Sequence, residues 1–214
     1  MRSTRNVLGA LAAAVLFAAP VSAQVPGLEV SVLPKVGFYS PASDLQAAQD
    51  ALGEVVDDRG GSLALGLALE LGVPLTALGV RVGFDYVTGS EFTYEDEAAV
   101  EATAEQTMLA ITGDVVLRPI PRLIVVQPYL LAGAGVKRYD FSFEEDAGTD
   151  VEAAFPESET DFTLHAGLGV DLGLGPIALI AEVSDYISWY ETGEDESEMQ
   201  NDLFLMAGIR LGLF

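Results

Sequence analysis

The chain has 214 residues and sets 33 acidic side chains against 10 basic ones, for a formal net charge of −23, yet half of it is hydrophobic. So much acid excludes a nucleic-acid-binding surface, and the lack of cysteine excludes disulfides, thiolate metal sites and cysteine nucleophiles. The hydrophobic content excludes a disordered acidic chain, so acid and apolar residues must be segregated along the sequence, within one domain by length.

In chain order, the first segment reads as a cleavable signal peptide over residues 1–23. Arg2 and Arg5 form its positive start, Val7 to Ala19 its apolar run, and Pro20-Val21-Ser22-Ala23 its small-residue cleavage site. The apolar run is too short to span a bilayer. The expected mature domain is 24–214. Losing two arginines leaves it 8 basic against 33 acidic residues, a net charge of −25.

Eight stretches with period-2 alternation follow, the pattern of strands with two unlike faces. The first covers about 29–39. The second sets Leu63, Leu65, Leu67, Leu69 and Leu71 against Ser62, Ala64, Gly66, Ala68 and Glu70. A helix would send leucines two apart to opposite sides. The third sets Val80, Val82, Phe84 and Tyr86 against Gly79, Arg81, Gly83 and Asp85. The fourth (about 107–118), fifth (about 124–141) and seventh (about 176–189) are less regular. The sixth sets Phe162, Leu164, Ala166, Leu168 and Val170 against Thr163, His165, Gly167, Gly169 and Asp171. The eighth sets Leu203, Leu205, Ala207, Ile209 and Leu211 against Met206, Gly208, Arg210 and Gly212.

Links between them alternate in length. Segments 40–60, 89–105, 142–160 and 190–201 read as long polar loops; those near 72–78, 118–123 and 173–176 are short and proline-bearing. This places all long loops on one side, as in an eight-stranded antiparallel up-and-down transmembrane β-barrel. Three features turn the apolar face outward. The other face is Gly, Ser and Ala with scattered ions, which suits a narrow lumen. Of 33 carboxylates, 26 fall in 40–60, 89–105, 140–161 and 190–202, leaving the strand bodies nearly free of outward charge. Aromatics collect near the long-loop ends, the expected membrane girdle: Phe38, Tyr39, Phe84, Tyr86, Tyr139, Phe141, Tyr186, Trp189 and Tyr190. Pro34 and Pro128 lie in strand patterns, so a bulge or strand boundary is expected at each. Asp185 falls in the apolar frame and is expected near the outer end of its strand.

The stretch Pro128-Tyr129-Leu130-Leu131-Ala132-Gly133-Ala134-Gly135 resembles the Pro-Tyr…Gly-Ala-Gly strand of small bacterial outer-membrane β-barrel proteins of the OmpA, OmpX and opacity types. Leu164 to Tyr186 is similar to their sixth and seventh strands, and the chain ends in Phe214 as most of them do. Phe214 departs by one position from the outward frame of Leu211 and Leu213. The resemblance implies a bacterial outer-membrane location, outer-membrane lipid and the envelope assembly machinery as partners, and a monomer without cofactor.

The expected lumen ions are Lys35, Glu70, Arg81, Asp85, Asp114, Lys137, His165, Asp171, Glu182 and Arg210. Their structural reading is a salt-bridge plug, since unpaired buried ions are costly; their functional reading is an ion path. His165 shares a frame with Asp171, with Ser184 and Ser188 on the neighbouring strand, a set that could serve a lipid-modifying enzyme only if brought together. Loop runs such as Glu95-Asp96-Glu97 lack the spacing of a calcium loop, and no zinc or phosphate motif occurs. The sequence therefore supports a non-enzymatic surface barrel first, a narrow channel for small or apolar solutes of the OmpW kind second, and a lipid-modifying enzyme third.

Overall fold

A computed structural model describes residues 28–41, 61–72, 76–95, 101–120, 125–143, 158–173, 177–192 and 196–213. The expected signal peptide, most of the 40–60 and 142–160 loops, and Phe214 lie outside them. Eight strands account for nearly all the rest: β1 (Glu29–Pro41), β2 (Ser62–Gly72), β3 (Leu78–Glu95), β4 (Glu101–Leu117), β5 (Val126–Phe143), β6 (Ser158–Gly173), β7 (Ile177–Thr192) and β8 (Glu196–Gly212). Each pairs antiparallel with the next, and β8 closes on β1.

The register fixes the shape. Following paired residues around the wall from Val30 leads through Leu71, Val80, Val115, Ala132, Ala166, Asp185 and Leu203 and returns to β1 at Ser40, ten residues further along. Closing eight strands with that stagger tilts them by about 40° to the axis. The lumen that results is narrow, so Gly, Ala and Ser recur on the inward frame beside the large side chains that fill it.

The faces are inverted relative to a water-soluble protein. Outward Leu168 and Val82 are each 60% exposed, while inward Arg81 is 2% and Glu182 1% exposed. Leu63 to Leu71 alone spans about 20 Å along the axis at ~3.3 Å per tilted residue, close to the ~25 Å apolar band of outer-membrane barrels. Two backbone bonds close the short-link end, from Arg118 N to Ala77 O (2.7 Å) and from Gly173 N to Val125 O (2.8 Å).

Four expectations need correction. The segments 89–105 and 190–201 are largely paired strand: Ser90 to Glu95 pairs with Gln106 to Glu101, and Ser188 to Thr192 with Gln200 to Glu196. Their many glutamates hid this extension. Asp185 is not near the outer end of β7, which runs seven residues beyond it. Pro34 carries no bulge: it pairs in register with Leu67, and the β1–β8 register resumes unshifted after a gap at Leu33 and Pro34. Pro128 is a boundary on one side only, paired with Val170 on β6 while pairing with β4 begins at Leu130. The register shift lies instead in β3 between Val87 and Ser90, at Gly89, whose φ of 91° suits glycine. It moves the inward frame from odd to even positions, so Val87 and Ser90 are both buried.

Candidate functional site

Inward side chains of β1, β2, β3, β6, β7 and β8, with Arg118 just past β4, form one chain of ions. Its hub is Glu182 on β7. Lys35 of β1 donates to Glu182 Oε1 at 2.9 Å, while Tyr129 of β5 (2.6 Å) and Arg81 of β3 donate to Oε2. Three strands are thereby tied across the lumen to a fourth. Arg81 also meets Glu70 at 3.0 Å, and Glu70 passes the chain to Arg118 at 2.8 Å. Arg118 and Arg210 both reach Asp171, at 3.4 and 2.8 Å. The guanidiniums of Arg81 and Arg118 sit 5.2 and 5.4 Å from the Tyr129 ring centroid, within cation–π range. In the other direction Lys35 approaches Asp85 at 3.4 Å, and Asp85 accepts the Tyr186 hydroxyl.

A second hub stands nearer the long-loop end. Asp202 of β8 takes Lys137 at 2.6 Å, the Tyr39 hydroxyl at 2.6 Å and the Tyr139 hydroxyl. Gln200 donates in turn to Tyr139 at 2.9 Å. Between the hubs lies an aromatic layer. Phe204 packs on Tyr39 and Tyr186 with centroids 5.3 and 5.0 Å apart, and His165 stacks on Tyr186 at 4.2 Å. His165 Nδ1 lies 2.8 Å from Asp114 Oδ1, and Thr112 donates to Asp114 Oδ2 at 3.2 Å. Space for this comes from missing side chains: a Cβ on Gly66 would fall 2.3 Å from Asp85 Oδ1 and 2.9 Å from Lys35 Cε.

All ten lumen positions named from the sequence face inward. Their partners were not foreseeable, since Lys35 and Glu182 are 147 residues apart. Asp171 does not join His165; it holds Arg118 and Arg210, and the carboxylate at His165 is Asp114. Ser184 and Ser188 pair with Gly167 and Thr163, flanking the His165–Tyr186 pair.

The aromatic girdle is corrected. Tyr39, Tyr139 and Tyr186 are each 1% exposed and sit in the lumen, in the same frames as Lys35, Lys137 and Glu182. Their height suggested a girdle, but position parity decides the face. Phe38 and Trp189 are exposed and outward, and Phe84 and Tyr86 are half-buried on the outward frame. The side chains of Phe141 and Tyr190 lie outside the described residues. Sequence reading missed Arg118, Asp202 and Phe204. Arg118 follows the fourth alternating stretch where a turn is expected, and Asp202 borders an expected loop; Phe204's even position alone could have marked it as inward.

Among the described residues, these contacts join six carboxylates to five cations and one imidazole, and no three or more His, Asp or Glu side chains gather as a metal site. A closed antiparallel barrel with apolar residues outside and ions inside is the architecture of an outer-membrane protein. The outer membrane protein beta-barrel domain family matches residues 9–211. The chain belongs to that family. It is accordingly a bacterial outer-membrane barrel. No curated protein matches it. Among solved structures it is similar to a major outer membrane protein from Thermus thermophilus, at 12% identity and a TM-score of 0.57, covering 86% of this chain and 99% of that one. OprG from Pseudomonas aeruginosa (16%, TM-score 0.48, 85% and 95% covered) and Neisserial surface protein A (15%, 0.47, 86% and 96%) are also similar. At these identities the likeness concerns the fold.

Proposed function

We propose that this barrel is a non-enzymatic surface protein, with a sealed lumen that ties the wall together and acidic outer segments that meet the exterior. The observation that carries this is the Glu182 hub. It joins β1, β3, β5 and β7 across the lumen with side chains almost fully buried, where a conducting path would need water. Buried ions that satisfy one another are costly to pull apart, so the plug is a standing part of the fold. Most small barrels of this architecture have filled interiors. The sequence gathers 26 of its 33 carboxylates in 40–60, 89–105, 140–161 and 190–202, and charge runs of this kind usually belong to solvated segments. A lipid-modifying role would need His165 at the lipid or the rim. It is instead enclosed by Asp114, Thr112 and Tyr186.

Planar-bilayer recording of the purified barrel tests the reading. The expected trace is flat, with rare brief events at most. Steady single-channel openings in the wild-type protein would overturn the plug and favour the narrow-channel alternative.

A further inference from the structure

We propose that Asp185 is a lipid-recognition site on the outer wall of the barrel, selecting a lipid whose acyl chains carry amide N–H or hydroxyl groups. Asp185 occupies the outward frame of β7 between Val183 and Ile187, with Ala166 of β6 and Leu203 of β8 as its register partners. It is half-buried, and its outward neighbours on all three strands are apolar. Its Oδ1 accepts the backbone N–H of Asp202 at 3.1 Å, and Oδ2 has no hydrogen-bond partner among the described residues. A carboxyl group within the apolar band is costly unless something in the membrane answers it.

Depth narrows what can answer it. Trp189 lies further along the same outward frame and is 45% exposed. It stands about 10 Å above Asp185 along the axis, at ~3.3 Å per tilted residue. An outward tryptophan marks the headgroup level. Ile177, at the other end of this apolar frame, is about 20 Å below Asp185 on the same measure. Asp185 therefore meets the first part of the acyl chains in the leaflet on the long-loop side. There Oδ2 needs a donor. The ester-linked chains of a glycerophospholipid offer only carbonyl acceptors at that depth. Chains that are N-acylated and hydroxylated offer N–H and O–H groups. The wall beside Asp185 also suits a flexible chain. Ala166 is exposed between outward Leu164 and Leu168, which leaves a step one side chain deep. A rigid protein surface would be held off by those leucines, whereas an acyl chain can bend into the step.

The test uses Trp189, the single tryptophan, as a reporter on the same face. The mature barrel is placed in phosphatidylcholine vesicles that contain a minor fraction of lipid A with brominated acyl chains, which quench tryptophan on contact. The matched control is brominated phosphatidic acid, which keeps a phosphate headgroup but has only ester-linked chains. For wild type, lipid A should be enriched at Trp189 about fivefold over its mole fraction, the worth of one net hydrogen bond, and phosphatidic acid should not be enriched. Asp185→Leu should bring lipid A down to its mole fraction. Asp185→Asn should do the same despite equal size, because the position of Oδ2 then carries a donor. Heat-modifiable gel migration checks that each variant is folded. Wild-type quenching that follows mole fraction, equal enrichment of phosphatidic acid, or enrichment that survives both substitutions would overturn the proposal.

Discussion

Replacing Glu182 with Gln removes one charge and almost no volume from the place where four strands are joined. Lys35 (2.9 Å) and Arg81 lose their shared counter-charge, and the one amide oxygen left can accept at the Oε1 or the Oε2 position but not at both, although Lys35 keeps Asp85 at 3.4 Å and Arg81 keeps Glu70 at 3.0 Å. Breaking a buried pair by removing one partner costs about 3–5 kcal/mol. The surviving partners and the retained Tyr129 contact place this variant near the low end, at about 3 kcal/mol. The control is Asp140→Asn, which breaks the Arg138 pair. That pair is equally short, at 3.0 Å, but both side chains are 51% exposed. Its expected cost is within about 1 kcal/mol. Distance is matched and burial differs, so the contrast isolates burial. Reversible urea unfolding in vesicles, followed by the single tryptophan Trp189, gives both values. A Glu182→Gln cost under about 1 kcal/mol, or equal costs at the two sites, would refute the view that the lumen network holds the wall together.

Asp202→Asn should destabilise by a similar ~3 kcal/mol, because Lys137 is fully buried and Asp202 is its partner in this contact; the same unfolding assay reads it. Gly66→Val should do more harm than either. Even its Cβ would overlap the Asp85 carboxylate and press on Lys35, so the folded, heat-modifiable form should fail to accumulate on refolding.

The sequence already displayed the strand count, the closed antiparallel order and the inverted faces, because alternation such as Leu63 to Leu71 has one period whatever surrounds it. It also displayed which ions point inward, since parity along a strand is local. It could not display who pairs with whom. Lys35 with Glu182 and Lys137 with Asp202 are set by stagger around the closed wall, which no single strand encodes. Tyr39, Tyr139 and Tyr186 share the height of a girdle, but parity along the strand puts them in the lumen. Arg118 and Asp202 stand where charge suggests a strand end, yet Asp202 continues the β7–β8 ladder and Arg118 bonds back to Ala77 just past β4. The Gly89 bulge looked like the start of a loop for the same reason.

Which face meets lipid is the point on which all else depends, and the absence of native cysteine makes it directly measurable. Single cysteines at Val82, Leu168 and Leu205, all more than half exposed on the outward frame, can carry spin labels in the mature barrel in vesicles. The predicted result is strong relaxation by oxygen and almost none by a water-soluble nickel chelate at all three. Full access of the chelate to these sites would contradict it.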